Sequence, residues 1–94
     1  MNGERLLIAA LTLYLGELSK ILNSLNQHYS RLRKALDSEQ VKDEATKELL
    51  EEVIIFIKTE IDSLENTYEA SKNIYKGLIR NISNTKQDLS KISH

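Results

Sequence analysis

Residues 50–78 read LEEVIIFIKTEIDSLENTYEASKNIYKGL, and the spacing of their apolar side chains decides the fold class. Leu50, Ile54, Ile57, Ile61, Leu64, Tyr68, Tyr75 and Leu78 fall at alternating steps of four and three, with Ser71 keeping the phase between the two tyrosines. That is the 3.5-residue repeat of a helix whose apolar seam packs lengthwise on another helix. A strand would alternate at every second residue instead. The repeat continues through Ile82, Thr85, Leu89 and Ile92. Val53 and Phe56 widen the stripe in its first half, and Ile74 and Ile79 do so around Gly77, so those stretches are expected to face more than one neighbour.

Upstream, a second periodic segment runs from about residue 4 to residue 36. Its seam is read as Leu7, Leu11, Tyr14, Leu18, Leu22, Leu25, Tyr29, Leu32 and Leu36, with one phase slip between Leu18 and Leu25. Between the two segments lies Asp37-Ser38-Glu39-Gln40. Asp37 with Gln40 three residues on fits a capping box, and Leu36 and Val41 sit where a hydrophobic staple would close around it. So short a turn makes the two helices antiparallel neighbours. Arg31, Arg33 and Lys34 before the turn, and Asp43, Glu44, Glu48, Glu51 and Glu52 after it, suit the dipoles of the helix ends they occupy.

The reading is therefore all-α. One domain over 1–94 forms a long antiparallel helical hairpin, with helices at about 4–36 and 41–80 and a turn at about 37–40. Beyond Arg80 the segment Asn81, Ser83, Asn84 is a poor helix former. Asn84 with Gln87 makes a second capping-box pattern, so a break at 81–84 and a short third helix at about 85–92 is one expectation and fraying the other. With the turn centred near residue 39, residue i should face about residue 78 − i. Leu7 then lies near Ser71, Tyr14 near Leu64 and Tyr29 near Leu49. Residues 73–94 are left without a partner inside the hairpin, which points to coiled-coil-like packing or a four-helix bundle on dimerisation.

Composition agrees. The chain has no proline and three glycines, as long uninterrupted helices require. Its 40% apolar content is too high for a disordered chain. The absence of cysteine excludes disulfides, thiol catalysis and thiolate metal sites. The net charge of −1 gives the whole chain no pull on nucleic acid. The distribution is uneven, however: residues 1–37 carry +2, residues 38–70 carry −7 and residues 71–94 carry +4. The apolar run Leu6–Leu15 behind Arg5 is about half of a membrane span. No small-x-small cleavage site follows it before Glu17, so a helix buried in a cytoplasmic protein is expected rather than a signal or an anchor.

Candidate chemistry is sparse. His28 has no companion at Glu-x-x-His or His-Glu-x-x-His spacing, and the terminal His94 stands alone. Glu44, Glu48, Glu51 and Glu52 line a helix face and lack the converging oxygens a hard cation needs. No phosphate loop, nucleophile elbow or catalytic triad pattern is present. The expectations are accordingly no catalytic residue, no metal and no cofactor. Lys72, Lys76 and Arg80, at i, i+4 and i+8, form the one row that could follow a phosphate backbone. Nor does the turn, Leu36-Asp37-Ser38-Glu39-Gln40, carry the Trp-x-Gly signature of small secreted helical hairpins; the chain has no Trp.

The functional expectation is a non-enzymatic protein–protein interaction module or small accessory subunit acting through its heptad seam. The partner is itself, as a homodimer, or another helical protein. Leu64, Tyr68, Tyr75, Leu78, Ile82 and Leu89 are the candidate interface. Two alternatives stand behind it: a nucleic-acid-binding bundle using the basic face of 72–91, and peripheral membrane association through residues 5–18.

Overall fold

The computed structural model describes the backbone of residues 2–92 and the side chains of residues 3–83. It contains two helices, α1 (Asn2–Asp37) and α2 (Glu44–Ile92), which fold back on each other as an antiparallel hairpin. No strand occurs among the described residues. At 1.5 Å per residue α2 is about 74 Å long and α1 about 54 Å. The molecule is therefore a rod of 76 × 16 × 16 Å whose length is that of α2 alone. Its radius of gyration is 21.5 Å, against about 12 Å for a compact domain of this size.

The turn lies later than the sequence reading put it. α1 runs through Asp37, and the connection occupies 38–43. The Ser38 amide donates to Ala35 O at 3.2 Å, and its hydroxyl accepts from the Gln40 amide at 3.1 Å. The cap of α2 is Asp43, not Asp37. Its Oδ2 accepts from the Thr46 amide at 3.3 Å and from the Thr46 hydroxyl at 2.8 Å, and its carbonyl accepts from the Lys47 amide at 3.0 Å. The side-chain bond satisfies one of the free amides of the first turn. Asp43-x-x-Thr46 escaped the capping-box pattern because that pattern asks for Glu or Gln at the third position.

α2 does not break at 81–84 but continues to Ile92, and no separate helix begins at 85. Asn and Ser cost at most about 0.7 kcal/mol each in a helix interior. Ile82 keeps the seam through that stretch and is half-buried.

The seam of α1 has no phase slip. Its shielded side chains are Ile8, Leu11, Leu15, Leu18, Leu22, Leu25, Tyr29, Leu32 and Leu36, a strict alternation of three and four. Leu7 and Tyr14, expected on the seam, are 47% and 45% exposed beside it. On α2 the seam runs as expected from Leu50 to Ile82.

The register differs as well. The Thr12 and Tyr75 hydroxyls are hydrogen-bonded at 3.2 Å, Tyr29 lies within electrostatic range of Lys58, and Leu36 shares a notch with Glu51. Each pair places residue i near residue 87 − i rather than 78 − i. That is a slide of about 13 Å at 1.5 Å per residue, caused by the longer, later connection. Residues 73–84 therefore lie alongside α1, and only 85–92 reach past it.

Candidate interaction surface

Two helices can bury only one stripe each. Of the described side chains, Leu18, Ile54 and Ile61 are the buried apolar ones, with Ile61 the most enclosed at 2% exposure. No buried side-chain nitrogen or oxygen lacks a partner among the described residues. The candidate interface residues Leu64, Tyr68, Tyr75, Leu78 and Ile82 all lie half-buried on the α2 seam, level with α1. Tyr75 is engaged there with Thr12. Leu89 falls outside the described side chains.

The remaining apolar surface is large. The accessible area is 7488 Å², whereas a compact monomer of 10.8 kDa would show about 5,500 Å². Leu6, Leu13, Leu49, Ile55, Phe56 and Ile74 are each more than 60% exposed.

These side chains are not scattered evenly. Leu7, Tyr14 and Ile21 of α1 immediately precede the seam residues Ile8, Leu15 and Leu22. Val53 and Ile74 of α2 immediately precede Ile54 and Tyr75. In an antiparallel pair the rows that precede the seam on both helices run along the same side of the hairpin. Leu49 and Phe56, four before and three after Val53, extend that side at its turn end. The opposite side carries the rows that follow the seam: Thr12, Ser19, Asn26 and Arg33 from α1, and Glu51, Lys58, Glu65 and Lys72 from α2, with Ile55 and Ile79 the large apolar exceptions. One broad side is apolar and the other polar. Leu6 and Leu13 lie on the outer back of α1.

The polar side is where the resolved electrostatics sit. Lys58 Nζ is 3.2 Å from Asp62 Oδ1, both side chains half-exposed. The hydrogen bond to Asp62, and the carboxylate charge behind it, hold the Lys58 ammonium above the ordinary lysine pKa. Glu44 and Lys47 approach to 3.9 Å in the first turn of α2. Arg33, Leu36, Glu51, Ile54 and Ile55 line an open notch near the turn. It is too shallow and too open to exclude water from a bound group, as a catalytic pocket would.

The other sequence candidates are located as follows. Lys72 is half-buried with its Nζ 5.8 Å from the centre of the Tyr68 ring, while Lys76 and Arg80 are exposed. Lys72 thus makes a cation–π contact one turn along its own helix. His28 is exposed, as are Glu44, Glu48, Glu51 and Glu52. Among the described residues no three His, Asp or Glu side chains converge as metal ligands do. α1 is long and apolar enough, by length and composition, to cross a membrane. Only 6% of the qualifying window is buried in the hairpin, and Leu6, Leu7, Leu13, Tyr14 and Ile21 of α1 are exposed.

Comparison of the chain with protein-family models, with curated protein sequences and with solved structures found no match.

Proposed function

We propose that the hairpin is a non-enzymatic helical interaction module, which acts by packing its exposed apolar side against further helices. The observation that carries this reading is the excess of accessible surface, with large hydrophobic side chains gathered on one side of the rod. Contiguous apolar patches of this kind mark association surfaces. The seam itself is occupied in holding α1 to α2, so the rows beside it supply the contact. The open notch offers no enclosed volume for a substrate, and the polar side bears charges of both signs rather than a continuous basic track.

The test is absolute molar mass by light scattering over a concentration series, with helicity and thermal unfolding followed on the same samples. The expected result is either a mass above 10.8 kDa with a Tm that rises with concentration, or a poorly folded chain when made alone. A well-folded 10.8 kDa monomer with a concentration-independent Tm would overturn the reading, because its apolar side would then need no cover.

A further inference from the structure

We infer that the occupant of the apolar side is a second copy of this chain, laid face to face and antiparallel, so that α1 crosses over α1 and α2 over α2 in a four-helix bundle. This rests on the reading just given and adds the partner, the face and the orientation.

The apolar side consists of two patches separated by a polar middle. At the open end are Leu7, Tyr14, Ile21 and Ile74; at the turn end are Leu49, Val53 and Phe56. Between them Ser24, His28, Glu60 and Ser63 are exposed. A two-fold axis through the middle, perpendicular to the rod, lays Ile74 of α2 on the Leu49, Val53 and Phe56 end of the second α2, and the Tyr14 end of α1 on the turn end of the second α1, as a self-complementary interface requires.

Size complementarity fixes where the axis falls. On α2, a centre at Ser63 sets the bulky Leu49 over Gly77 of the second copy, Phe56 over Ala70, and Val53 over Ile74. The space above Gly77 is open: a Cβ built there meets nothing within 4 Å. On α1, a centre at Ser24 brings Tyr14 within one residue of Ala35. Leu49 over Gly77, Phe56 over Ala70 and Tyr14 beside Ala35 each set a large side chain against a small one, the interdigitation that close packing favours. The two centres were found separately, one on each helix, yet Ser24 and Ser63 stand at the same level in a hairpin whose facing residues obey 87 − i. A single axis satisfies both helices.

Charge selects the same orientation. Antiparallel packing about Ser63 brings residues 44–55, which hold four acids and one base, alongside residues 71–82 of the second copy, which hold three bases and no acid. Such complementarity chooses orientation more than it adds affinity. The area is adequate too: a stable interface takes about 800 Å² from each partner, within the surplus of about 2,000 Å² that each hairpin carries over a compact chain of its mass.

The experiment uses the full chain, which has no native cysteine. Ser63→Cys and Ser24→Cys, each alone, should oxidise to a covalent dimer. Ile74→Cys alone should not, since the two copies of that residue would lie about 33 Å apart at 1.5 Å per residue. Mixing Ile74→Cys with Val53→Cys should give the mixed disulfide. Gly77→Phe, whose Cβ meets nothing within 4 Å in its own hairpin, should keep full helicity yet weaken dimerisation at least about tenfold by overfilling the contact. Efficient self-linking of Ile74→Cys would overturn the orientation while leaving self-association standing. A poorly folded monomer, or a chain that associates only with phospholipid vesicles, would overturn the second copy as occupant while leaving an exposed surface that requires cover.

Discussion

The first half of α1 and the middle of α2 are both apolar and both helical, yet only one of them announced which side faces inward. From Ile61 to Tyr68 the seam of α2 is bordered by Glu60, Asp62, Glu65 and Glu69, so the buried stripe has charged edges there. Along Leu6–Leu15 almost every position is apolar, and Leu7-Leu11-Tyr14 and Ile8-Leu11-Leu15 fit the helical repeat equally well. The structure chooses the second set, and in doing so removes the phase slip. A seam is legible when polar neighbours bound it. Where they do not, the partner helix makes the choice and the unused hydrophobes remain on the surface. Here those unused side chains, Leu7, Tyr14 and Ile21, become the raw material of the proposed interface.

The sharpest way to break this comparison is at the buried centre. Ile61→Ala should cost about 3 kcal/mol, inside the range for deleting an enclosed aliphatic side chain, whereas Leu13→Ala, at a site 77% exposed, should change stability by less than about 0.5 kcal/mol. Chemical denaturation at one fixed concentration would read both. A smaller effect should separate the two candidate phases of α1. Leu15→Ala is expected to lower hairpin stability by about 2 kcal/mol, while Tyr14→Ala, measured at a dilution where the chain is monomeric, should cost less than half as much. The reverse ordering would restore the seam through Leu7 and Tyr14.

The turn offers a contrast of about 1 kcal/mol. Asp43→Ala should lose about that amount with the N-cap bond, and Asp37→Ala, a substitution at the last residue of α1, should lose almost nothing in the same thermal melts. Smaller and of opposite sign is Gly16→Ala. Gly16 is helical, and a Cβ there meets nothing within 4 Å, so the change should stabilise by about 0.5–1 kcal/mol. The slightest effect concerns pH. Lys58 is held above the ordinary lysine value by Asp62. Its small contribution is therefore present below the unfolded value of about 10.4 and is lost as pH rises through the folded one. Above neutral pH, a stability difference between the native chain and Asp62→Asn should close only in strongly alkaline solution, and a gap that closed on acidifying from pH 9 to pH 7 would contradict the assignment.

How much was legible varied with the kind of signal. The all-α class and the hairpin followed from the unbroken 3.5-residue repeat and the absence of proline, because helix periodicity is written locally. The α2 seam was readable residue by residue for the same reason. The cap was misplaced because Asp37 and Asp43 both make reasonable N-caps in isolation. Only the end of α1 decides between them: the chain keeps α1 helical through Asp37, and Asp43 is then the next residue able to cap. That six-residue difference slid one helix along the other, and so the side chains at 73–82 that looked partnerless found α1 beside them.

Sequence alone determined the helices, their antiparallel order and the stripe that α2 would bury, since these depend on the chemistry of near neighbours and on the pitch of a helix. Which of two equivalent stripes α1 would use, where α2 would begin and which side of the rod would be left apolar were settled by tertiary structure alone. Those properties depend on the register between two elements, and a register is a relation between distant parts of the chain that neither part encodes by itself.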